Sequence, residues 1–153
     1  MHDQLDTSII KDLYESDYLL WLQKTSQLLK SQDFASLDLE NLIEEIESLG
    51  KSERNKLISS LRLIYQHLLK WQYQPSKRSK SWNNTIIRER DNINDYIEDT
   101  PSLKNLLQDS TALNKAYQRG RRDAIRETGI TNLPQECPYS IEQALDLDFL
   151  PER

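Results

Sequence analysis

Residues 38–74 read DLENLIEEIESLGKSERNKLISSLRLIYQHLLKWQYQ, and this run decides the fold. Apolar side chains recur at 39, 42, 43, 46 and 49, then at 57, 61, 64, 68 and 71. That rhythm is the one-face pattern of an α-helix. Leu37, Asp38 and Leu42 stand at the positions of a hydrophobic staple around an N-cap. Gly50 and Glu53 interrupt the stripe. A glycine inside a helix costs only about 1 kcal/mol, and KSERNKLISS beyond it holds good helix formers and no proline. The run therefore predicts one unbroken helix from Asp38 to Tyr73. Pro75 stops it, because the residue before a proline avoids helical backbone.

Upstream, a helix is predicted from Ser16 or Asp17 as N-cap to about Ser31. Tyr14, Tyr18, Trp21, Thr25 and Leu28 form its expected buried stripe, with Leu22 and Leu29 beside them. Residues 1–12 read as an arm that Ile9, Ile10 and Leu13 can dock. Downstream of a basic elbow at Pro75–Lys80, a third helix is expected from Ser81 to Glu98, with Trp82, Ile86, Ile93 and Ile97 on one face. Thr100 and Pro101 read as N-cap and first residue of a fourth helix. Its stripe is Leu103, Leu106, Leu107, Leu113, Ala116, Tyr117, Gly120 and Ala124, and Gly129 closes it. Ser140-Ile141-Glu142-Gln143 is a capping box that opens a short last helix. The expected fold is all-α: an up-down bundle of four main helices with a long second helix and a short C-terminal one. Residues 1–153 are read as a single helical domain, with 1–12 as arm and 146–153 as tail.

Composition agrees. The 153 residues include only three Gly and five Pro, fewer turn formers than a β-rich chain needs. No apolar run approaches the roughly 18–20 residues that span a bilayer, and Met1–Asp6 is acidic with no apolar signal segment behind it. Cys137 is the only cysteine, which fits a reducing compartment, so a cytoplasmic location is expected. The net charge of −5 is unevenly spread. Residues 1–50 carry three basic and eleven acidic side chains, residues 51–100 ten and six, and residues 101–153 seven and eight. An acidic total argues against a DNA-coating protein but leaves room for a local anion-binding patch.

The runs DLENLIEEIESLGKSER (38–54), HLLKWQYQP (67–75), RSKSW (78–82), RRDAIRETG (121–129) and LPQECPYSIEQALDLDFLPE (133–152) carry a family likeness. In order and spacing they resemble the bacterial family catalogued as domain of unknown function 29, over about Leu13 to Glu152. The resemblance implies a compact helical domain, a family without an established activity, and a suggestion of nucleic-acid binding. It supplies no catalytic residues.

Candidate sites must come from the residues themselves. Glu40, Glu44 and Glu47 share a helical face, with Glu45 beside them. His67, twenty residues beyond Glu47, would lie about 30 Å along the helix. That separation leaves the ligand count of a metal site unmet, so neither metal nor cofactor is expected. His67 has apolar neighbours and reads as a hydrogen-bonded histidine at the core edge. Trp71, Tyr73 and Trp82 bracket an elbow carrying Lys77, Arg78 and Lys80. Lys70 precedes it, and Arg88 and Arg90 follow. Cations interleaved with aromatic rings suit single-stranded nucleic acid, which needs phosphate contacts and stacking faces. The competing expectation is that the tryptophans close the bundle while the cations meet water. Arg119, Arg122 and Arg126 form a second basic line, expected to pair with Asp123, Glu127 and the acidic part of the long helix. Cys137 has no neighbouring base.

No Walker A loop, GxGxxG, HExxH or GxSxG occurs. An enzyme is therefore the least favoured class. The favoured one is a non-catalytic binding module that holds nucleic acid or another polyanion through residues 70–90, with Lys77, Arg78, Lys80 and Arg88 as contacts. The alternative is a protein–protein or regulatory module without nucleic-acid binding. No membrane partner is expected.

Overall fold

The computed structural model describes residues 7–152, and helices are joined by turns with no strand among them. The chain packs as two compact units, one within residues 1–52 and the other within 53–153. The all-α class, the long helix and the short C-terminal helix are as expected. Of the expected N-terminal arm, residues 1–6 lie outside the described residues, as does Arg153 of the tail.

The first unit opens with α1 (Thr7–Ser16) and α2 (Tyr18–Lys30). They are separated at Asp17, whose carboxylate accepts from the Leu20 N–H at 3.2 Å. That is an N-cap at the residue the sequence marks, satisfying a helix-start donor that would otherwise have no partner. Tyr14 therefore belongs to α1, not to the stripe of α2. After α2 the chain reverses at Gln32, whose φ of 60° puts a non-glycine residue in the left-handed region. A 3₁₀ turn at Phe34–Ser36 then leads into α3 (Leu39–Tyr73). The small core gathers Ile10, Trp21, Leu28 and Leu37, with Leu13, Tyr14 and Leu42 against it. Leu37 and Leu42, the two positions of the expected staple, both belong to this core. At the centre the buried Trp21 ring donates its indole N–H to the Asp38 carboxylate at 3.2 Å. The Asn41 amide donates to the same oxygen at 2.6 Å. Asp38 is only 3% exposed, and such a group is tolerable inside because it is hydrogen-bonded.

Gly50 lies within α3, so the helix does run through it. The remainder of α3 enters the second unit with α4 (Lys80–Asp99), α5 (Ser110–Thr128) and α6 (Ile141–Leu145). The core here is larger. Leu57, Leu61, Ile64 and Leu68 of α3 meet Ile86 and Ile93 of α4, then Ala116, Tyr117 and Ala124 of α5. Arg62 pairs with Asp123 and Lys70 with Glu127, so α3 and α5 run in the same direction. They approach closely at Gly120. A Cβ there would stand 2.6 Å from the Arg62 carbonyl oxygen, so only glycine fits.

Two elements depart from expectation: residues 7–12, read as arm, are the start of α1, and the fourth helix is divided. The predicted fourth helix is two pieces: a 3₁₀ segment at Pro101–Gln108, then α5. The division falls at Asp109, whose carboxylate accepts from the N–H groups of Thr111 at 3.0 Å and Ala112 at 3.3 Å. This local cap competes with continued helix. Gly129 closes α5 at φ 73°, and the Ser140–Gln143 capping box opens α6, both as expected.

Candidate functional site

Half the cations of the basic stretch 70–90 are committed to the protein's own structure. The elbow's turn, Pro75–Lys77, is 3₁₀, and Arg78 folds back on α3. The Arg78 Nε donates to the Trp71 carbonyl at 2.8 Å, one of the acceptors a helix end leaves unmet. Its guanidinium stands 5.1 Å from the Trp71 ring centroid. Lys70 is buried, pairs with Glu127 and covers Trp82 at 4.5 Å. Arg90 is 1% exposed and donates to the carbonyls of Ala144 at 2.8 Å and Gln143 at 3.1 Å. It thereby ties α4 to the end of α6.

Three of the six cations between 70 and 90 are thus internal fasteners. The two tryptophans are half-buried, and each already carries a cation on its ring. Arg88 is exposed but pairs with the buried Glu89 at 3.2 Å. Lys77 and Lys80 remain exposed at the elbow.

The second basic line meets its expected partners only in part. Asp123 and Glu127 take their partners from the basic part of α3. Arg62 stands 3.5 Å from Asp123. Glu127 accepts from Lys70 and, at 2.7 Å, from Gln66. Arg122 makes only a 3.4 Å contact with its neighbour Asp123. Sequence reasoning passed over Arg121, which clamps the following loop by donating to the carbonyls of Leu133 and Pro134. Tyr117 and Gln118 bind the same loop, at Pro134 and Gln135. The signal was available in RRDAIRETG, where neighbouring arginines necessarily point to different sides of the helix.

The other candidates show no catalytic constellation. His67 Nδ1 lies 2.8 Å from the Leu63 carbonyl, and burial pulls the ring's pKa below 6.5. Burial pushes the Cys137 thiol up, and its Sγ donates to the Tyr139 carbonyl at 3.3 Å. A protonated thiol is a poor nucleophile. Glu40 pairs with Lys11 at 3.0 Å. Glu45 accepts from the Tyr14 and Tyr18 hydroxyls; those bonds lower its own pKa and push Tyr14 up to about 12. Among the described residues no group of three His, Cys, Asp or Glu gathers as a metal site would require. A shallow depression is lined by Leu22, Gln23, Ser26, Gln27 and Lys30, all from one helix.

What sequence reasoning missed is in the first unit. Leu19, Leu22 and Leu29 of α2 are exposed, as are Leu39, Ile43, Ile46 and Leu49 of α3. Ile9, Tyr18 and Phe34 join them. The second unit shows only Ile87 and Leu147 in this class among its described residues. Periodicity flagged the α3 residues as apolar, but it cannot tell a core face from an outward one.

These features define an all-helical protein with an acidic, apolar-faced N-terminal unit and a C-terminal unit in which Lys70, Glu89 and Arg90 are buried. The family model described as "Domain of unknown function DUF29" matches residues 13–150, and the chain belongs to that family. No curated protein and no solved structure matches it. Among the described residues, no helix is long and apolar enough to cross a membrane.

Proposed function

We propose that the chain is a non-catalytic module that docks another protein through the apolar surface of its N-terminal unit. The observation that carries this reading is the concentration of exposed large aliphatic side chains on α2 and the first half of α3. Scattered exposed leucines need no explanation, but rows of them at helical spacing mark interaction surfaces. The single, half-buried Cys137 suits the cytoplasm, taken here to be bacterial.

The test is co-purification from the source cells with tagged wild type and with a Leu22→Asp, Ile46→Asp variant. The reading expects an identified protein that binds the wild type when both are purified and is lost with the variant. An identical set of co-purifying proteins for both forms would refute it.

A second reading, polyanion binding at the elbow, is favoured by the exposure of Lys77 and Lys80. Arg88 would be its third contact, since Arg78 is held on Trp71. Binding would be weak and salt-sensitive, because the remainder of the chain is acidic. Titration of labelled oligonucleotides against Lys77→Gln, Lys80→Gln decides it. Loss of two phosphate contacts flattens the log–log salt slope by about 1.8 on duplex DNA.

A further inference from the structure

We propose that the outer face of the first half of α3 is the seat of a cationic amphipathic helix of a partner protein. This inference rests on the protein-docking reading above and names the occupant.

Leu39, Ile43, Ile46 and Gly50 recur at intervals of four, three and four, so they lie in one row along the helix. Leu39 is 55% exposed, Ile43 52% and Ile46 60%. Their neighbours Asp38 and Leu42 face the small core, so the row is the continuation of a buried face out into solvent. At its end, nothing lies within 4 Å of where a Gly50 Cβ would stand, which leaves the helix backbone open to close approach. Anchors at such spacing are what a docked helix reads.

Charge selects the occupant. Helical spacing places Glu40, Glu44 and Glu47 along the solvent edge of this row. Glu44 and Glu47 are exposed with no ion-pair partner given by any contact of the described residues. Residues 1–52 hold eleven acidic and four basic side chains. Nucleic acid and anionic lipid are repelled by such a surface. A second copy fits poorly too. Laid parallel it sets glutamate against glutamate, and in either direction it brings together two units that each hold eleven acidic and four basic side chains. The row is about 15 Å long and one helix wide. That footprint is far below the ~800 Å² per partner of a stable interface between folded proteins. It matches a single helix with aliphatic residues on one face and Lys or Arg at the edge.

The probe is a labelled peptide of about five turns, built of leucine and lysine with leucines at i, i+3, i+4 and i+7. The control keeps the leucines and replaces lysine by glutamate. Both are titrated into the full-length protein by fluorescence anisotropy. The expected result is saturable binding of the cationic peptide and at least about tenfold weaker binding of the acidic one. Ile43→Asp, Ile46→Asp should cost at least tenfold, about 1.4 kcal/mol or more. Glu44→Gln, Glu47→Gln should weaken binding severalfold and flatten its salt dependence, and this milder pair keeps the test valid if the aspartate variant misfolds.

Equal binding of both peptides, or none of either, overturns the cationic occupant. Unchanged binding to both variants overturns the site. A wild type that sediments as a dimer and becomes monomeric on Ile43→Asp, Ile46→Asp shows that a second copy is the occupant. That result overturns this inference, and the docking reading is then judged separately by co-purification. The docking reading itself fails only if co-purification is blind to the surface variant.

Discussion

The two units differ in which large apolar side chains they leave in water. The N-terminal unit closes a core of four buried apolar residues, Trp21 among them, and leaves rows of leucine and isoleucine outside. The C-terminal unit buries most of its large apolar side chains and three charged ones with them, Lys70, Glu89 and Arg90, where the described part of the N-terminal unit buries Asp38 alone. Charge is inside where it fastens helices, as Arg90 does for α6. Apolar surface is outside where nothing in the unit covers it. The contrast teaches that charge density along a sequence is a poor guide to a binding surface. The chain's most basic stretch spends half its cations on itself, while the acidic stretch carries the exposed apolar face.

The contrast is most easily broken at its cores. Trp21→Ala should cost about 3–5 kcal/mol by chemical denaturation, the usual range for a core aromatic. Trp71→Ala should cost clearly less, because that ring is half-buried under Arg78. Equal losses would erase the distinction between the core tryptophan and the elbow tryptophan.

The glycines should separate next. Gly120→Ala forces a methyl against the Arg62 carbonyl and should destabilise by about 1–3 kcal/mol. Gly50→Ala meets open space within a helix and should stabilise by up to about 1 kcal/mol. Thermal unfolding of both variants checks the opposite signs.

Arg90→Met tests the inward charge. It removes the donors to Ala144 and Gln143 while keeping most of the aliphatic volume, and should cost about 1–3 kcal/mol. Hydrogen exchange should show the loss first in α6. Stability unchanged, with α6 still protected, would mean the buried arginine fastens nothing.

A smaller effect is expected from His67. Burial holds its pKa below 6.5, so the unfolded chain binds the proton more readily than the native one. Its contribution is complete above pH 6.5 and is lost as pH falls from there through the native pKa. The unfolding free energy of His67→Gln should therefore fall less steeply with acid than that of the wild type over this window.

Much of the fold was legible because it rests on local chemistry. Asp17, Ser140 with Gln143, and Gly129 each cap a helix with a group named by the sequence. Gly50 was readable as helical because the flanking residues outvote it. The break at Asp109 was less visible, although Leu107 and Leu113 are six residues apart, a gap that a single helical stripe does not show. Of the candidate site, little was legible. Whether Arg78 reaches solvent or folds onto Trp71, and whether Ile43 meets a core or water, is decided by tertiary packing. Hydrophobic period reports that a face is apolar, not what stands opposite it.

The central claim is that the apolar row on α3 serves binding rather than folding. The most direct measurement is the unfolding free energy of Ile43→Asn, Ile46→Asn against wild type by urea denaturation of the isolated protein. Surface substitutions away from structural contacts stay within about 0.5 kcal/mol each, so the pair should fall by no more than about 1 kcal/mol with an unchanged denaturant slope. A loss of about 3 kcal/mol or more would place these side chains in the protein's own core and contradict the account.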